Sequence, residues 1–338
     1  MTDGNAPLKH LMPGWFAIVM GWCGLALAWH RAVPLMGELA GTAALLAGGV
    51  ALLAFAALMG LSLLRASRHA VALADDLKHP VRHVYVAAVP TSWLLLVTLG
   101  VDLAGPSPVL GGLWGVGAVA HFGVTAWVLA RWLRGTPAAG TAAFHWAAVT
   151  PALLVPVVGN LLVPLAGVPL GFAPWSTAQF GVGLLFWPVV LTLFVVRLGT
   201  AGALPERMLP TVFLFIAPPA VGGLAVLQLG APMPLAWGLW GVALFSAAWV
   251  ASLARRIAEL PFGIPHWALG FALAALAMLT LRLAATPEGA WLVVPAMGLL
   301  ALASLVTLGL SLATVRGLRA GALLVPEAPP VITLKPAG

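Results

Sequence analysis

Long apolar stretches alternate with short polar gaps along this chain, and the basic residues collect in every second gap. Ten stretches stand out: 13–30, 37–64, 82–103, 108–133, 144–165, 171–197, 209–229, 232–253, 261–283 and 289–314. A helix needs about 20 mostly apolar residues to cross a bilayer, so each is read as one crossing. With 7% charged residues, the chain lacks the polar surface that a water-soluble domain, at roughly 25% charged, presents. The expected fold is an all-α integral membrane protein of ten transmembrane helices. It divides into a short leading segment (1–12), a membrane domain (13–315) and a tail (316–338). The first eleven residues are short and polar and no small-residue cleavage site follows, so no cleaved signal peptide is expected.

The gaps set the orientation. Lys9, then Arg65, Arg68, Lys78 and Arg82, then Arg131 and Arg134, Arg197 and Arg207, Arg255 and Arg256, and finally Arg316, Arg319 and Lys335 fall on one side. Arg31 and Arg282 fall on the other. Basic residues hold the cytoplasmic ends of spans, which puts both termini in the cytoplasm, agrees with an even number of crossings and makes the chain five helical hairpins. The formal charge of +7 follows from this retention, so no nucleic-acid partner is expected.

Prolines favour alternate stretches. Pro13, Pro80, Pro210 and Pro261 stand at or near the start of odd ones, and Pro90, Pro151, Pro156, Pro218 and Pro219 lie within them. Proline removes a helical hydrogen bond and bends the axis, which lipid tolerates where freed carbonyls are buried or line water. Either the prolines, with Gly270, kink packed helices, or odd helices line a path and even helices face lipid. The second reading gives a pseudo-five-fold array, an inner ring of five odd helices around a central pore.

Missing chemistry narrows the function. No stretch carries a carboxylate at its centre, which disfavours proton-coupled antiport and acidic cation filters. Asp75 and Asp76 read as a solvated loop. His79 and His83 are four apart but flank Pro80 and lack a third ligand, so no metal is expected. Cys23 stands alone, His121 is the one histidine deep in a stretch, and no cofactor is implied. What remains inside is Thr91, Ser92, Thr98, Thr150, Asn160, Thr211 and Thr280, with Phe16 among possible lining residues. Arg82 either holds an anion or snorkels to the interface, and Arg31 and Arg282 lie near the other end. Most tryptophans, Trp267 included, read as an interfacial belt. Phe271, one residue after Gly270 near mid-span, is either packing or a ring that blocks the path.

Several of these residues also match a known pattern. Pro13-Gly14-Trp15-Phe16-Ala17-Ile18, Gly21 and Leu27-Ala28-Trp29 open the first stretch, and His79-Pro80-Val81-Arg82 precedes Pro90 in the third. Leu204-Pro205 through Ala217-Pro218 leads into the seventh, and the ninth reads His266-Trp267-Ala268-Leu269-Gly270-Phe271. In order and spacing they resemble the tellurite-resistance/dicarboxylate transporter family, which takes in TehA-like bacterial proteins, the fungal malic-acid permease and the slow-type anion channels of plant guard cells. The resemblance implies a homotrimer in a bacterial inner (plasma) membrane with one pore per subunit. It implies conduction of small anions (halide, nitrate, oxyanion or dicarboxylate) and a phenylalanine plug on helix nine, which falls on Phe271. It does not imply an enzyme. Two other classes compete with this reading. A ten-span drug or metabolite exporter of inverted five-helix halves would need the two halves to correspond, and a membrane-embedded enzyme would need a convergent polar cluster.

Overall fold

A computed structural model describes residues 7–134 and 146–326, and these are helical with no strand among them. Ten principal helices run α1 (Ala17–Arg31), α2 (Glu38–Arg68), α3 (Ala88–Ala104), α4 (Pro108–Arg134), α5 (Leu154–Gly167), α6 (Ala173–Ala201), α7 (Ala217–Gln228), α8 (Met233–Ala251), α9 (Ala268–Ala284) and α10 (Val293–Arg319). With their leading turns, eight are long and apolar enough to cross a membrane; α1 and α5 span 15 and 14 residues. The expected start of the fifth stretch, with His145, and the tail from residue 327 lie outside the described residues.

Every odd helix is entered through a 3-10 segment: Pro13–Phe16, Arg82–Ala87, Pro151–Leu153, Glu206–Ile216 and Ile264–Trp267. Pro90, Pro156, Pro218 and Gly270 all fall in the first turn of their α-helix, directly after the 3-10 segment. They mark the switch from 3-10 to α winding. Pro90 brings no N–H to the carbonyls behind it, and the Thr91 hydroxyl donates to the Ala87 carbonyl at 2.7 Å. Pro164 and Pro188 are the ones inside established helices.

The odd helices close a ring. Helix α1 packs on α3, α3 on α5, α5 on α7, α7 on α9 and α9 back on α1. Their 3-10 segments touch in the same cyclic order and close a second ring at the basic end. The even helices lie outside, each against the inner helix before it. Burial separates the layers. In the segments carrying α3, α7 and α9, 67, 100 and 89% of the most apolar stretch is buried, against 22 to 33% in those carrying α2, α4, α6, α8 and α10. A helix apolar all round suits the core of such an assembly. The outer helices expose Leu46, Leu53, Phe245 and Leu305, an apolar mantle fit for acyl chains. The protein is a multi-pass membrane protein.

Small residues let the inner helices approach. Trp267, expected in the interfacial belt, is instead 1% exposed. Its indole lies over Gly21 of α1 and donates to Thr314 of α10 at 2.9 Å.

Candidate functional site

Helix α9 shows which side chains look into the ring. Gly270 meets the Gly21 backbone of α1, and a methyl at Gly24 would stand 3.1 Å from both Ala274 and the Phe271 ring. Leu279 packs over Gly223 of α7, and Thr280 accepts from Trp240 of outer helix α8 at 3.0 Å. At 3.6 residues per turn, the sector between the α1 side and the α7 side, opposite the outer helices, holds Phe271, Ala275, Met278 and Arg282. Phe271 and Met278 are each 2% exposed and rank among the largest fully enclosed side chains. Arg282, at the end away from the basic residues, is exposed and forms no ion pair among the described residues.

The polar groups expected inside mostly find hydrogen-bond partners, some on outer helices and some within the inner segments. Thr91 faces His121 of α4 at 3.3 Å. Ser92 donates to the Phe16 carbonyl, and Thr98 to Leu94 of its own helix. Asn160 donates to Thr125 of α4 and accepts from Gln179 of α6. Thr211 donates to Met208 at 2.6 Å. The Phe16 ring packs edge-on against Phe55 of α2, so it too is assigned to the inner–outer contact. The reason is energetic: a buried polar group without a partner costs about 1–3 kcal/mol, and the inner–outer seams supply partners. Thr150 is different, buried with no hydrogen-bond partner for its hydroxyl.

His121 is the hub of one such seam. It is fully buried, its ring lies in a notch opened by Gly159, and its Nε2 approaches the Pro156 carbonyl at 2.9 Å. Thr125 and the Asn160 amide donate to the same carbonyl, at 3.1 and 2.7 Å. Gln179 extends the network to the Ala118 carbonyl, and Trp175 donates to Gln179. His121 thus ties the first turns of α3 and α5 to α4.

At the basic end the structure overturns one expectation. Residues 70–78 form a helix (Ala70–Lys78), and Asp76 is 2% exposed rather than solvated. It pairs with Arg65 at 2.6 Å and Arg82 at 2.8 Å. Arg82 is thus ion-paired at the mouth of the ring, with its side chain 30% exposed. Arg65, itself 3% exposed, also donates to the carbonyls of Lys9 and Ala72. Sequence reasoning missed this cluster because its partners lie 11 and six positions from Asp76 and meet only when the short helix folds back. The Nδ1 of His79 accepts the N–H groups of Val81 and Arg82. Burial first, and Arg82 second, hold the His79 pKa below the usual imidazole value, which suits a neutral acceptor. Arg197 caps its own helix end through the Gly202 carbonyl at 2.6 Å.

The sequence profile of the family described as voltage-dependent anion channel (SLAC1) matches residues 10–315. Among curated proteins, the S-type anion channel SLAH2 of Arabidopsis thaliana is 25% identical over 212 residues, 62% of this chain and 40% of that protein. SLAH1 of the same plant is 24% identical over 226 residues, 64% of this chain and 57% of that protein. The match thus spans less than two thirds of the length of either relative.

Proposed function

The chain belongs to the voltage-dependent anion channel (SLAC1) family, and on that premise we propose that it is an anion channel whose path runs down the axis of the inner helix ring. Membership sets it among channels rather than enzymes. The observation that carries the reading is the closed ring of α1, α3, α5, α7 and α9 with one apolar stripe of α9, Phe271 to Met278, turned inward. In this reading residues 13–315 cross the bilayer ten times as five hairpins, with both termini in the cytoplasm of a bacterial cell. The subunits assemble as a homotrimer, each with its own pore. The ring repeats pair by pair, which disfavours an exporter built of two inverted halves.

The mechanism follows from what the axis holds and lacks. Buried carboxylates would repel anions, and among the described residues the one buried carboxylate, Asp76, is neutralised by Arg65 and Arg82 at the mouth. Exposed Arg282 collects anions at the outer mouth. Between the mouths the wall is apolar, so an anion must shed water unless the constriction widens, and a narrow apolar constriction empties of water. Phe271 is the gate. Gly24 beside it leaves the room into which its ring packs. Thr150, with its unsatisfied hydroxyl, and Arg282 are the candidate anion contacts. Substrates are small anions such as chloride or nitrate, with larger oxyanions or dicarboxylates ranked by the same measurement.

The test is flux from liposomes holding the purified protein, with reversal potentials across several anions. A potential that follows the anion gradient supports the reading, and one that follows potassium overturns it. Met278 lies about 10 Å beyond Phe271 along the same face, and so acts as a second apolar constriction. Adding Met278→Ala to Phe271→Ala is expected to raise flux a further two- to tenfold, roughly 0.4–1.4 kcal/mol of barrier. No increase over Phe271→Ala alone would remove Met278 from the path.

A further inference from the structure

Asp76 is the only buried carboxylate among the described residues, and it is spent on two cations at one mouth of the ring. The other carboxylates at that end among the described residues are on the surface: Glu206 pairs with Arg256 and Glu259 with Arg255, all four exposed, and Asp75 is exposed. We propose that Asp76 sets the effective positive charge of the basic mouth through Arg82, and thereby how readily anions enter the path from that side. This rests on the path proposed above.

Three observations support it. Arg82 is the first residue of the 3-10 segment Arg82–Ala87, one of the five that close the ring at that end. Its Nη1 is held by Asp76 at 2.8 Å, while its Nε is buried with no hydrogen-bond partner. Asp76 and Arg65 are buried while the Arg82 side chain is 30% exposed, so Arg82 carries the charge of the cluster to the water of the mouth, where salt screens it. Arg65 and Arg82 against Asp76 leave one net positive charge, and removing the carboxylate leaves two. A positive mouth with low-dielectric walls concentrates anions in front of the path.

The bonding pattern also predicts that the substitution is survivable. Arg65 keeps its bonds to the Lys9 carbonyl at 2.9 and 3.2 Å and to the Ala72 carbonyl at 3.2 Å, so it is not stranded when Asp76 loses its charge. An asparagine retains an oxygen that accepts from Arg65.

The experiment uses Phe271→Ala channels in excised patches with the basic face toward the bath, in symmetrical potassium chloride. The readout is the ratio of chloride current leaving the basic side to that entering it. Asp76→Asn is expected to raise this ratio about twofold at 0.1 M salt, Arg82→Gln to lower it by a similar factor, and the double variant to return it near the parent value. At 1 M salt, where the Debye length is about 3 Å, the differences shrink. An unchanged or lowered ratio in assembled Asp76→Asn channels overturns the proposal. Should that variant fail to assemble, Arg82→Gln decides, and an unchanged ratio overturns it. Absence of any chloride current in Phe271→Ala channels counts against the path itself. Chloride current with an unaltered ratio sinks only the role of Asp76.

Discussion

Phe271→Ala is expected to raise chloride flux in liposomes at least about tenfold over the wild-type protein, equivalent to about 1.4 kcal/mol of barrier. The ring is 2% exposed and packs beside Gly24, so removing it vacates space inside the ring of helices. Transfer of an unpaired anion past apolar carbon is far costlier than 1.4 kcal/mol, so the gain comes from letting water follow the ion. Phe271→Leu keeps an apolar plug of smaller girth and is expected to fall between the two. Because truncating a buried Phe costs about 3–5 kcal/mol of stability, assembly is checked by size-exclusion profile before flux is compared. Equal flux from properly assembled wild-type and Ala channels would take the gate away from Phe271.

The expectation for Phe271 shows where sequence reasoning reached and where it stopped. Charge spacing located the helix ends, because lipid admits basic residues only there, and proline placement separated the odd segments that the structure puts inside. Which side of an inner helix faces the axis was not legible. A helix buried on all sides carries no amphipathic stripe, so Thr91, Asn160 and Thr280 looked like wall residues although they bond outward to α4, α6 and α8. The direction appears only from which neighbour each position of α9 touches. Prolines gather in the segments whose helices contact one another in a ring, and Pro90, Pro156 and Pro218 sit at 3-10 to α junctions, a distinction that depends on winding. Asp76 was lost because two adjacent aspartates in a polar gap read as solvent-facing, and only the turned-back helix Ala70–Lys78 buries one of the pair. His121, the one histidine deep in a stretch, is held by the Pro156 carbonyl and Thr91.

Gly159→Ala is expected to cost about 2–4 kcal/mol of stability, from overpacking and from hydrogen bonds lost around the displaced ring. A methyl at Gly159 would overlap the His121 imidazole. That ring has little freedom to retreat, since it is fully buried and tied to the Pro156 carbonyl at 2.9 Å and to Thr91 at 3.3 Å. Moving it disturbs the first turns of α3 and α5 together, and through Asn160 and Gln179 reaches α6. The measurement is thermal unfolding in detergent for wild type, Gly159→Ala, His121→Ala and the double variant. Were the glycine valued only for flexibility, the two losses would add. A notch instead makes them antagonistic: with the imidazole gone the methyl fills space, so the double variant should be no worse than His121→Ala, a coupling of at least about 1 kcal/mol. Additive losses would show that His121 is not what Gly159 accommodates.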